Sequence, residues 1–227
     1  MNQTEIRAEP VNTAPSFAML RTLGLVAAIS GFLVVLTFRV TAPMIETNKR
    51  LAIERALYQV VPGSVSRQDF LIRGSDIVPA EDDLEGTALY AGYDAEGQLK
   101  GVAQEAAAAG YQDVIRILYG YDPYCQCIRG IRVLKMAETP GIGDKISKDQ
   151  TFQKNFIALE AKVNAAGTGL EHDIVLVKQG TKTQAWEIDA ITGATISSRA
   201  VAKMLNASGQ ETIPSIMKNL SVLESSP

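Results

Sequence analysis

The sequence predicts an α+β fold, in which a single N-terminal transmembrane helix is followed by one α+β domain. Three observations predict it. Residues 22–38 carry no charge and are bracketed by Arg21 and Arg39. Residues 87–134 hold β-rich runs separated by turn residues. Beyond them, short apolar runs alternate with helical patterns, with no internal repeat or low-complexity tract. At 227 residues the chain fits one domain plus extras, and the part from about Leu51 onward is long enough to bury a core.

The composition excludes some function classes. There are 22 basic and 25 acidic residues, a net charge of −3, and no block of Lys or Arg suited to a phosphate backbone. Nucleic acid is therefore not expected as a partner. His172 is the one histidine, which rules out a multi-His zinc or di-iron site, and no metal site is expected.

Taken in order, the 17 residues of 22–38 rise about 26 Å as a helix, close to the hydrocarbon thickness of a bilayer. The transmembrane segment is read as 21–41, after a leader at 1–20. Gly24, Ala27, Ala28 and Gly31 lie near one face, where small residues let another membrane helix approach. A cleaved signal peptide is the competing reading. Against it, Pro43 follows Val40-Thr41-Ala42, where cleavage would occur. Residues 42–62 read as a stalk helix, with Ile45, Leu51, Ile53, Ala56, Leu57 and Val60 at helical intervals and Pro62-Gly63 as the stop. The soluble domain is then 63–227.

Within it, residues 64–85 read as loop with short strands. Residues 87–93 and 99–109 form a hairpin around Asp94-Ala95-Glu96-Gly97. Residues 114–120 and 128–134 are further strands, with a turn at Asp122-Pro123. Residues 149–161 suit a short helix with Phe152, Phe156 and Leu159 inward. Residues 174–177 read as a buried strand and 184–188 as another. Residues 197–205 form an amphipathic helix with Val201, Met204 and Leu205 on one face. A last helix covers 213–223, with Pro214 in its first turn.

Cys125 and Cys127 are too close for a C-x-x-C zinc or redox pattern. They read as two thiols in a loop or strand. A redox or inter-subunit metal role, and a disulfide strained by its single intervening residue, stay open.

Two segments carry chemistry. In the run Asp189-Ala190-Ile191-Thr192-Gly193-Ala194-Thr195-Ile196-Ser197, a glycine and an alanine leave room for a large group beside the Thr195 hydroxyl. The helix after it is expected to start near Ser197 or Ser198, both capping residues, and its free amides favour a phosphate. The second segment is Glu138-Thr139-Pro140-Gly141-Ile142-Gly143-Asp144. It is a stiff loop whose glycines let backbone pass close to a ligand. Each alone also fits an ordinary strand–turn–helix junction or β-turn.

Together they resemble the G subunit of Rnf-type ion-translocating electron-transport complexes and, more distantly, the C subunit of the sodium-translocating NADH:quinone oxidoreductase. The pattern Asp-x-x-Ser/Thr-Gly-Ala-Thr-x-Ser/Thr is matched by Asp189, Thr192, Gly193, Ala194, Thr195 and Ser197. Glu138 to Gly143 match the Glu-Thr-Pro-Gly-aliphatic-Gly signature, and Gly110-Tyr111 precedes a strand as in that family. The resemblance covers residues 20–223.

It implies an FMN-binding domain, with FMN joined through its phosphate to Thr195 by a separate flavin transferase. Asp189 and Thr192 would be recognition or positioning residues, and Gly193 and Ala194 would give room. Ser197 and Ser198 would bind phosphate oxygens. The loop of Glu138, Thr139, Pro140, Gly141 and Gly143 would lie against the flavin or its ribityl chain. Trp186, Tyr119 and Tyr121 read as core residues that could instead pack on the ring.

The implied role is an electron carrier in an ion-translocating ferredoxin/NAD oxidoreductase, a redox subunit rather than a catalyst on its own. Its partners would be the other subunits of the complex, the transferase transiently, and membrane lipid. The implied location is the bacterial inner membrane, single-pass, with a cytoplasmic leader and the domain on the periplasmic side. Arg39, Lys49, Arg50 and Arg55 after the span, against Arg7 and Arg21 before it, favour the opposite orientation by charge count. The segment from Asp122 to Cys127 is not a general family feature, so no role carries over to its thiols. Two rival readings remain: a cofactor-free anchored assembly module, and a hydrolase using a Ser or Thr with His172. His172 reads as solvated in a polar turn, and no G-x-S-x-G elbow accompanies it.

Overall fold

The computed structural model describes residues 16–81 and 84–225. Most of the leader lies outside them. The chain divides into two units, Met1–Arg50 and Leu51–Pro227. The first contains most of α1 (Ser16–Val60), and its large apolar residues from Phe17 to Ile45 are exposed. Among the described residues it is the one helix long and apolar enough to cross a membrane. One helix covers both the expected span and the expected stalk, and it passes through Pro43 at the expense of one backbone hydrogen bond.

The second unit is built on a seven-stranded antiparallel sheet, ordered β2-β1-β3-β4-β5-β6-β7. The strands are β1 (Ser66–Arg73), β2 (Asp76–Pro79), β3 (Thr87–Tyr93), β4 (Leu99–Ala109), β5 (Val114–Asp122), β6 (Cys127–Lys135) and β7 (Leu159–Glu160). Between β6 and β7 lie α2 (Lys145–Lys148) and α3 (Gln150–Lys154). A parallel pair, β8 (Val175–Val177) and β9 (Glu187–Asp189), leads into α4 (Thr195–Lys218) and α5 (Leu220–Glu224).

Period-two alternation decides which side chain meets which layer. Leu89, Ala91 and Tyr93 of β3, Val102 and Ala106 of β4, and Ile115, Ile117, Tyr119 and Tyr121 of β5 face one core with Val201, Met204 and Leu205 of α4. The intervening Tyr90, Ala103 and Leu118 face Ile53, Ala56, Leu57 and Val60. Both faces of the central strands are thus covered, which is why they read as nearly continuous apolar runs. Gly120 sets how closely residues 51–60 approach the sheet. A Cβ there would collide with the carbonyl oxygen of Val60.

Several elements differ from expectation. The helix expected over 149–161 stops at Lys154, and Leu159 is instead in β7, because an edge pairing with Ile128 captures it. The 174–177 run is not buried throughout, since Val175 is 40 % exposed. The two expected C-terminal helices merge, with α4 passing through Pro214. Ile213 and Ile216 are buried on either side of that proline, and their packing offsets the lost backbone bond. Cys125 and Cys127 are joined as a disulfide, not free thiols. The left-handed backbone of Gln126 (φ 51°) between them turns the chain so that both sulfurs face each other.

Candidate functional site

The site forms where three connections meet at one end of the sheet: the β4–β5 turn at Gly110 to Asp113, the loop after β6, and the start of α4. The last of these begins at Gly193, whose φ of +86° an L side chain rarely adopts and beside whose Cα lies open space. Ala194 is the N-cap, with no side-chain cap. The first helical bond runs from the amide of Ser198 to the carbonyl of Ala194 (2.9 Å). The amides of Thr195, Ile196 and Ser197 are therefore left to an outside acceptor. α4 starts two residues earlier than the sequence suggested, so Ser197 and Ser198 lie inside its first turn and cap nothing.

The serine hydroxyls point inward. Ser198 is fully buried, donating to the carbonyl of Ala194 (2.9 Å) and accepting from the amide of Ile191 (3.2 Å). Ser197, also buried, donates to Glu138 Oε2. Glu138 is 6 % exposed, and its Oε1 accepts from the amides of Tyr111 (2.9 Å) and Gln112 (3.2 Å). This one carboxylate ties all three connections together. Three N–H and O–H donors compensate its burial.

Gly143 packs against that carboxylate: a Cβ there would lie 2.5 Å from Glu138 Oε2 and 2.9 Å from Ser197 Oγ. Its small size serves internal packing. Gly141 differs, with φ +76° and open space around it. Pro140 and Gly141 form the tip of a turn in which the amides of Ile142 (3.1 Å) and Gly143 (3.0 Å) donate to the carbonyl of Thr139.

The result is a cleft of 520 Å³, within the size range of small-molecule sites. Tyr111, Ile142 and Ile196 line it with exposed apolar surface, Glu138, Thr139 and Ser197 with polar groups, and Gly143, Gly193, Ala194 and Thr195 complete it. Thr195 is exposed at its rim. Thr195 also lines a second, 350 Å³ groove with Lys178, Gln179, Thr192 and Arg199. Open space at Gly193, unpaired amides, an apolar wall and two cations fit a group with an anionic end and a flat apolar end.

Several predicted residues are held by bonds within the protein. The Asp189 carboxylate accepts from the amides of Thr181 (3.1 Å) and Lys182 (3.0 Å), while Asn155 braces its backbone. Asp189 thus orders the 178–183 loop. Thr192 donates its hydroxyl hydrogen to Gln179 Oε1 (2.5 Å). Tyr119 and Tyr121 are in the core, Tyr119 bonded to Gln104 (2.9 Å) and Ser208 (2.8 Å). Trp186 stacks on His172 (3.7 Å between centroids), and His172 Nδ1 lies 3.1 Å from Glu160. His172 is thus engaged and not simply solvated, and among the described residues no Ser or Thr hydroxyl bonds to it. Tyr111, Ile142, Ile196 and Arg199 went unassigned to the site. The Gly110-Tyr111 signature pointed toward Tyr111, and the aliphatic position of the Glu138 to Gly143 signature toward Ile142.

Comparison with known proteins gives concordant findings. Residues 110–209 match the family described as FMN-binding domain, and residues 21–60 match the RnfG N-terminal region. The chain is 32 % identical over 184 residues to the G subunit of the ion-translocating oxidoreductase complex of Aliivibrio fischeri, covering 80 % of this chain and 82 % of that protein. It is 30 % identical over 203 residues to the G subunit of the Na(+)-translocating ferredoxin:NAD(+) oxidoreductase complex of Acetobacterium woodii, covering 83 % and 87 %. In fold it resembles Shewanella oneidensis NqrC, with a TM-score of 0.63 at 17 % identity, covering 78 % of this chain and 99 % of that one.

Proposed function

The chain belongs to the G-subunit family of Rnf-type ion-translocating oxidoreductase complexes, and on that premise we propose that it is a membrane-anchored electron carrier that holds FMN as a phosphoester of Thr195. The observation that carries this reading is the position of Thr195. Its exposed hydroxyl stands at the unpaired start of α4, on the ridge between an apolar cleft and a cationic groove.

When bound, FMN supplies one-electron redox chemistry between neighbouring centres. The chain's own residues do the holding. Tyr111, Ile142 and Ile196 offer apolar surface to a flat ring and exclude water from one side of it. Glu138 positions the three connections, and the free amides of residues 195–197 would hold the ester oxygens. Thr195 itself is an attachment point. A flavin transferase, docking transiently over the exposed Gly193 and Thr195, makes the bond. A covalent tether suits a carrier, because dissociation between redox cycles ceases to matter.

The proposed organisation is a cytoplasmic leader (1–20), a span (21–41), a stalk (42–62) and an FMN-binding domain (63–227) on the periplasmic side of the inner membrane, beside lipid and the other subunits. The Cys125–Cys127 disulfide supports that orientation against the charge count, since disulfides persist in oxidising compartments.

The test is the intact mass of the full chain co-produced with a competent flavin transferase, with in-gel fluorescence after denaturation. A gain of FMN less one water, abolished in Thr195→Ala, is the expected result. An unmodified wild-type mass overturns the reading. For orientation, protease added to intact spheroplasts should cut the domain, whereas full protection would place it inside.

A further inference from the structure

The two clefts that share Thr195 differ in charge. The larger is lined by one carboxylate, Glu138, and no cation. The smaller is lined by two cations, Lys178 and Arg199, and no carboxylate. Residues four apart on a helix share a face, so Arg199 stands one turn below Thr195 in α4. Helical side chains lean toward the N-terminus, which aims the Arg199 guanidinium over the turn that begins with Thr195. Arg199 is exposed, and among the described residues neither it nor the ammonium of Lys178 forms an ion pair. Meanwhile the hydroxyls of Ser197 and Ser198 are committed to Glu138 and to the helix backbone.

We propose that Arg199, with Lys178 across the groove, is the binding site for the phosphate oxygens of the group esterified to Thr195, so that the anion lies on the groove side and the ring on the apolar side. The proposal rests on the Thr195 reading and adds the residues that neutralise its anion. A guanidinium presents two parallel N–H donors that match two non-bridging phosphate oxygens, and Lys178 adds a point charge. The interaction makes and breaks no covalent bond. It places the ester and fixes the direction in which the ribityl chain leaves.

The test is arginine-selective dicarbonyl labelling of the full chain in detergent, read peptide by peptide by mass, with and without attached FMN. Arg199 should react at least tenfold more slowly in the flavin-bearing form, while the exposed Arg129, in β6, reacts equally in both. In the flavin-free form, inorganic phosphate should protect Arg199, and chloride at equal ionic strength should not. In addition, Arg199→Gln should slow flavin attachment at least tenfold, Arg199→Lys should restore part of the rate, and both variants should melt as wild type does. Equal labelling of Arg199 in the two forms overturns the proposal and leaves the Thr195 reading intact. A wild-type chain that gains no FMN overturns the Thr195 reading, and phosphate protection then still reports on the groove by itself.

Discussion

The hydroxyl of Ser197 donates to the carboxylate of Glu138, 59 residues earlier in the chain. This contact joins the two signature segments, and it makes Glu138 the centre of the site's architecture. Removing that carboxylate takes the acceptor from three donors: the half-buried amide bonds of Tyr111 and Gln112 and the buried Ser197 hydroxyl. Glu138→Ala should therefore destabilise the domain by about 2–4 kcal/mol, roughly 1–3 kcal/mol for the buried Ser197 hydroxyl left unpaired and about 0.5 kcal/mol or more for each of the two half-buried amide bonds. Glu138→Gln keeps one acceptor oxygen and should cost less than half as much. Denaturant unfolding of the full chain measures both.

The two loop glycines should separate by mechanism. A methyl at Gly143 meets Glu138 and Ser197 at 2.5–2.9 Å. Gly143→Ala should cost about 1–3 kcal/mol by overpacking and, by displacing the carboxylate, slow flavin attachment. Gly141→Ala meets open space but carries φ +76°. It should cost about 1–2 kcal/mol of backbone energy and leave attachment near wild type. Melting curves beside intact-mass time courses distinguish the two.

The disulfide should be independent of the flavin site. β5 runs from Val114, near Tyr111, to Asp122, near Cys125, about 26 Å at strand rise. Replacing both cysteines by serine should remove about 1.5 kcal/mol of loop-closure stabilisation for so short a loop. It should also loosen residues 161–163, because Gln126 accepts from the amides of Ala161 (3.0 Å) and Val163 (3.2 Å). Hydrogen exchange should rise at those amides while the extent of flavin attachment stays unchanged.

Acid should act through Glu187. The amides of Thr183 and Gln184 hold its carboxyl below the ordinary value of 4.5. A depressed carboxyl contributes stability that is complete above its unfolded value and is lost as pH falls through the lower folded value. The melting temperature of wild type should exceed that of Glu187→Gln at neutral pH. The gap should close on acidification below about 4.5. A gap constant with pH would mean the carboxylate contributes nothing through these amides.

The hairpin at 87–109 was legible residue by residue, because strand alternation and the Asp94 turn are local signals. The uncharged span was legible for the same reason, and so was the exposed threonine after Gly193-Ala194. The roles of Asp189 and Ser198 were not. Both sit in a motif that suggests ligand contact, yet Asp189 orders the 178–183 loop and Ser198 bonds to its own helix. Nor could spacing show that Leu159 would pair with Ile128, or that a proline would be carried inside α4.

By itself, then, the sequence determined the periodic elements, the span and the family motifs, all of which depend on residues close together in the chain. Only the tertiary structure decided that Tyr111, Ile142 and Ile196 would wall one cleft, that Lys178 and Arg199 would line one groove with Thr195, and that Cys125 would bond to Cys127. The cleft wall comes from three separate connections brought to one end of a sheet. The choice of hydrogen-bond partner for each buried polar group is made when the layers pack and water is excluded.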